Sequence, residues 1–182
     1  AYPAVKPNVN PRVWVEYGGI NDWWPRGWPG DVWNNTWIVE KAEVQSGGKA
    51  VLAMKSNSED GALELKRALR ITEGSPLLVA EYEITNNSKD TVEHIWAAHP
   101  DLAPGREGAG QSDLVLVPGE GELQVHAYRR RNTKFSFQPS AGWAAAVDRA
   151  SGHFFAALFA PGTLAEIGVW EGLDFFSLEL IH

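Results

Sequence analysis

Short apolar runs that alternate with period two, punctuated by glycine and proline, fill most of this chain and restrict it to a mostly antiparallel β protein. In ALELKRALRI, Leu63, Leu65, Leu69 and Ile71 share one parity, while Glu64, Lys66 and Arg70 take the other. That is a strand with one buried face. TEGSP at 72–76 supplies a turn, and LLVAEYEITN then sets Leu78, Ala80, Tyr82 and Ile84 against Glu81, Glu83 and Thr85, so the two runs pair as a hairpin. Further strands are expected in KAVLAMKS, SDLVLVP, ELQVHAY, TKFSFQ, GWAAAVD, HFFAALFA, LAEIGVW and DFFSLELI. Alanine favours a helix in GWAAAVDRASGHFFAALFA, but DRASG sits where a tight turn joins two strands, which predicts a hairpin.

No fixed-period repeat or linker separates two cores, and 182 residues suit one domain. The expected fold is all-β: an antiparallel two-sheet β-sandwich over 1–182, with 1–40 a Trp/Gly/Pro-rich, loop-dominated arm packed on it.

Sixteen basic against twenty-three acidic residues give a net charge of -7, an unfavourable field for nucleic acid. With no cysteine, disulfides and thiolate chemistry are excluded. No apolar run reaches the roughly 20 residues that a membrane helix needs. The start AYPAVKPN carries neither methionine nor a leader, which suggests a processed protein or part of a larger one. Secreted, periplasmic and cytoplasmic locations all remain open.

HIWAAHPD at 94–101 places two of the five histidines around a tryptophan. Five residues between His94 and His99 suit neither a helix face nor a strand face, so a shared metal ion is not expected. Pro100 cannot donate to a ladder, which predicts a strand ending near His99 and an imidazole at the sheet rim. There it either moves a proton near neutral pH or bonds to loop backbone.

Six of the nine tryptophans fall between Trp14 and Trp37. They are either anchors on the core or platforms for a sugar ring, whose apolar C–H face and rim of hydroxyls suit indoles beside polar partners. Trp23, Trp24 and Trp28 flank PRG, with Asp22, Arg26, Asp31, Asn34 and Asn35 nearby. Glu179 shares its parity with Phe175, Ser177 and Ile181, and it either lines a pocket or faces water. In YRRRN, Arg129 and Arg131 take one face, for a sugar carboxylate or simply for solvent. Nucleotide-binding glycine loops, HExxH and GxSxG are absent.

From ALELKRALRITEGSPLLVAEYEITNNSKDTVEHIWAAHPDLAPG to the closing FFSLEL the chain resembles the galactose mutarotase-like superfamily, through Y-x-I-T-N-N-S, a strand ending W-x-x-H-P, and the late glutamate. The resemblance implies a supersandwich that binds sugar, with His99 as acid and Glu179 as base of an aldose 1-epimerase and no metal or organic cofactor. On the enzymatic reading, Arg26, Trp24 and Trp96 are the expected substrate contacts. The chain is shorter than such epimerases, has no histidine before His94, and has leucine where many have proline after the glutamate. The expectation is therefore a carbohydrate-recognising sandwich, either a reduced epimerase-like protein or a sugar-binding accessory domain. Two alternatives stand beside it: a uronate lyase using Tyr128 or His126 as base with Arg129, and a structural or protein-interaction sandwich.

Overall fold

In the computed structural model the described residues are 19–25, 36–102, 113–129, 131–172 and 176–182. They hold thirteen strands and no helix: β1 (Gly19–Trp23), β2 (Ile38–Gln45), β3 (Lys49–Asn57), β4 (Leu63–Thr72), β5 (Leu78–Asn86), β6 (Ala97–Leu102), β7 (Asp113–Pro118), β8 (Leu123–Ala127), β9 (Thr133–Phe137), β10 (Trp143–Asp148), β11 (Phe154–Leu158), β12 (Glu166–Glu171) and β13 (Phe176–Ile181). The fold is all-β and antiparallel, in three sheets ordered β2-β3-β4-β5, β11-β10-β7-β8 and β1-β6-β13-β12-β9. The described residues fall into two compact units, one made of 23–25 and 36–94, the other of 19–22 and the described part of 95–182.

The first unit is a four-stranded meander whose alternation gives its two faces opposite character. On one face Lys55 lies 3.0 Å from Glu40 and 3.4 Å from Glu64, and Arg70 lies 2.7 Å from Glu81. Such exposed pairs contribute little individually. On the other face Val44, Ala50, Ile71 and Leu78 form one cross-strand row, and Leu65 opposite Ile84 forms another. Leu65 is fully buried, whereas Val44 is 82% exposed, so the apolar face is closed at one end only. The β4–β5 hairpin is the one expected, with Gly74 at φ 75 in its turn, a conformation that glycine adopts without a Cβ clash.

The second unit contains the sandwich. Val115, Val117, Ala144 and Ala146 from the four-stranded sheet form one core with Ile167, Val169, Phe176 and Leu178 from the five-stranded sheet. The alanine-rich segment is the β10–β11 hairpin, with Ala145 opposite Ala156. Each sheet turns alternate residues into this core. On β13, Phe176 and Leu178 point inward, so Ser177 and Glu179 project from the opposite face of the sheet.

Two local expectations change. The strand bearing His99 does not end there: β6 starts at Ala97, continues through Pro100 and lies between β1 and β13. Proline forfeits one ladder donor, and pairing of Ala98 with Leu180 and of Asp101 with Ser177 holds the strand on either side of it. Within the arm, Gly19–Trp23 is an edge strand of the five-stranded sheet rather than loop. Truncating the buried Leu178 to alanine removes contacts on both sides of the core and is expected to cost about 2–5 kcal/mol. Val44→Ala, at an exposed edge, should change stability by less than about 1 kcal/mol, both changes being read by urea titration.

Candidate functional site

The face of the five-stranded sheet turned away from the sandwich core carries polar side chains that are nevertheless closed to water. Glu179 is 0% exposed, Ser177 0% and His99 1%. They share a face because β6 and β13 are antiparallel in a register that puts Asp101 opposite Ser177 and brings His99 alongside Glu179. On the other side of β13, Gly168 lies opposite Glu179 and Trp170 opposite Ser177. On β9, Lys134 is opposite Trp170 and Ser136 opposite Gly168. Four strands thus deliver one cluster.

The cluster is a chain of alternating charge. Nδ1 of His99 is 3.1 Å from Oδ1 of Asp101, and its Nε2 is 3.4 Å from Oε1 of Glu179. The other carboxylate oxygen of Glu179 is 2.6 Å from Nζ of Lys134. The Ser177 hydroxyl donates to Asp101. Burial alone would lower the His99 pKa, but contact with Asp101 and Glu179 outweighs it and raises the imidazole to about 9. Burial likewise pushes Glu179 upward, and His99 and Lys134 more than reverse it, holding the carboxyl below its ordinary range. At neutral pH the pair is therefore imidazolium and carboxylate, charged acid donor beside charged acceptor.

Gly168 makes the seat for that carboxylate. A Cβ there would stand 2.5 Å from Oε2 of Glu179 and 3.0 Å from Cε of Lys134. A side chain on this residue would push aside the ends of the ion pair, so glycine is favoured here by close approach rather than by backbone angle.

His99 and Glu179 are thus the two expected site residues that the structure brings together. Trp24 is 0% exposed, as a packing anchor is. Trp96 is half-buried, its amide donating to the His182 carbonyl at 3.3 Å and its carbonyl accepting from the His182 amide at 2.8 Å. Arg26 and Trp28 lie outside the described residues, and so does the side chain of Trp23. Arg129 is exposed and belongs to a separate cluster: its amide and, at 3.1 Å, that of Arg131 donate to Oε1 of buried Glu171. Nε2 of His126 lies 3.0 Å from Oε2 of the same carboxylate. Tyr128 is 3% exposed, and its hydroxyl donates to the Gly172 carbonyl at 2.8 Å, which engages the group that a lyase reading needs as base.

Five residues of the site were not anticipated: Asp101, Lys134, Gly168, Trp170 and Ser177. Asp101 had a local signal, since residues two apart on a strand share a face. Trp170 is a half-buried indole on the same sheet face, beside Ser177 and Lys134 in register. Among the described residues no cluster of three or more His, Cys, Asp or Glu side chains is arranged to hold a metal ion.

A histidine whose pKa rises from 6.5 to about 9 on folding stabilises the fold fully below pH 6.5 and loses that contribution as pH rises through about 9. Glu179, with its lowered pKa, contributes above the ordinary carboxylate value of 4.5 and loses its contribution in acid. Unfolding free energy is accordingly expected to fall between pH 6.5 and 9 by on the order of 3 kcal/mol. His99→Gln should flatten that part of a urea-stability profile, and an unchanged slope would exclude the charged histidine as its source. No family model, curated protein or solved structure matches the chain.

Proposed function

We propose that the protein recognises a carbohydrate on this face of the five-stranded sheet, with Trp170 as the stacking platform and His99, Glu179 and Lys134 as hydroxyl partners. The observation that carries the reading is the contact of His99 with Glu179 at 3.4 Å, closed to bulk water and oppositely charged. A sugar presents an apolar C–H face ringed by hydroxyls that both donate and accept. A half-buried indole with Ser177 and Lys134 beside it in register, on the same sheet face as the His99–Glu179 pair, supplies both features.

The same pair supplies an acid and a base for aldose epimerisation, as the resemblance to the mutarotase-like superfamily implies. A hydroxyl enters between Nε2 of His99 and Oε1 of Glu179, while Lys134 retains the carboxylate through its other oxygen. Parting the contact takes one of the two carboxylates from His99, which makes its proton easier to give up. Glu179 takes the anomeric hydroxyl proton, His99 protonates the ring oxygen, and the C–O bond between that oxygen and the anomeric carbon breaks to leave an open-chain carbonyl. Attack of the hydroxyl on the other face of that carbonyl recloses the ring and returns both protons.

Titrating a panel of aldoses against intrinsic tryptophan fluorescence is expected to give saturable quenching, weakened about tenfold or more by Trp170→Ala. Anomer interconversion followed by NMR should slow to the uncatalysed rate in His99→Ala and in Glu179→Gln. A catalysed rate unchanged in both variants would remove the acid–base step, and absence of saturable binding across the panel would remove carbohydrate recognition itself.

A further inference from the structure

The four-stranded sheet β11-β10-β7-β8 turns an apolar face outward. Its inner face supplies half of the sandwich core, and the outer face carries no charged side chain. One outer row runs Phe154, Val147, Leu114, Ala127, and the next runs Ala156, Ala145, Leu116, Val125. A third, at the Pro118 end, closes with Trp143 opposite Leu158 and Pro118 opposite Leu123. Phe154 is 72% exposed, Leu158 73%, Val125 56% and Leu123 49%. An antiparallel sheet with one face on a core normally turns polar residues to water. A continuous uncharged face is the signature of an interaction surface.

The charges at the two ends of this face say what fits it. The β7–β8 turn, at the Pro118 end, carries exposed Glu120 and Glu122. The β10–β11 turn, at the Asp113 end, carries exposed Arg149, and Arg129 follows β8 at that same end. Asp113 and Asp148 are also there, but both are buried, and Asp148 accepts the amides of Ala150 and Ser151. The face is therefore acidic at one end, basic at the other and neutral between.

We infer that a second copy of this chain packs face to face on the outer face of β11-β10-β7-β8, about a twofold axis perpendicular to the strands. That axis reverses strand direction, so each acidic turn meets the partner's basic turn and the apolar rows meet each other. An axis along the strands would instead stack like charge on like. Four strands about 4.8 Å apart and five residues long give a footprint of roughly 300 Å². This is well below the about 800 Å² per partner of a standard interface, so the dimer is weak and concentration-dependent.

Sedimentation equilibrium on the whole chain from about 10 µM to about 1 mM tests this. The weight-average mass should rise from 20.0 kDa toward twice that value, and Leu158→Asp should hold it at 20.0 kDa with an unchanged far-UV spectrum. Ile71→Asp, at a 53%-exposed apolar position on the other unit's sheet, should dimerise as the wild type does. Replacing Glu120 and Glu122 by arginine should weaken association about tenfold, and adding Arg149→Glu should recover part of the loss. A chain that stays at 20.0 kDa throughout, association that survives Leu158→Asp, or loss of association in Ile71→Asp would overturn the proposal. A charge reversal without effect would overturn the twofold arrangement.

Discussion

A carboxylate with no exposure on the central strand of a sheet imposes conditions on everything around it. Glu179 is that carboxylate, and removing it from water costs several kcal/mol unless cations meet it. Lys134 reaches one oxygen from β9 and His99 approaches the other from β6. Gly168, directly opposite on β12, leaves the space that the carboxylate occupies. The imidazolium then needs its own second partner, which is Asp101, oriented by the Ser177 hydroxyl. Losing one member would leave a buried charge without its match, so the residues at these positions constrain one another more than they constrain the apolar core.

The two sheets of the second unit divide the physical work. In the five-stranded sheet, alternation separates an apolar inner face, where Phe176 and Leu178 pack, from an outer face that buries the polar Ser177 and Glu179. In the four-stranded sheet the outer face has only apolar side chains, and the exposed charges lie in the turns. One sandwich thus has a buried polar face on one sheet and an uncharged outer face on the other. Glu171 stabilises the same unit: it lies on the inward parity of β12, and the amides following β8 close on it, so its charge is used in holding the chain rather than in a reactive site.

Fold class was legible because period-two alternation is a local property. ALELKRALRI and LLVAEYEITN became β4 and β5 in the expected pairing, and DRASG turned where the alanine-rich run needed a hairpin. Burial was less legible: Ile71 and Leu78 share the parity of Leu65, yet they are 53% and 48% exposed, because parity assigns a face and not what covers it. His99 was identified for a reason that does not hold, since proline was expected to end its strand and instead lies within it. Glu179 stood out as a charge in an apolar strand, but Lys134 depends on a register between strands more than thirty residues apart, which no local pattern encodes, and Gly168 depends on the β12–β13 register. Trp170 was overshadowed by the dense tryptophans near the N-terminus, although LAEIGVW already placed it opposite in parity to Ile167 and Val169.

Contact with Asp101 and Glu179 holds His99 as an imidazolium between two carboxylates at neutral pH. Titration of the His99 ring by heteronuclear NMR, assigned by loss of its signals in His99→Gln, tests this without any ligand. A midpoint near pH 9, with the ring protonated on both nitrogens at pH 7, is the predicted result. A midpoint at or below the ordinary 6.5 would contradict it, because burial would then outweigh Asp101 and Glu179 and the site would hold a neutral histidine.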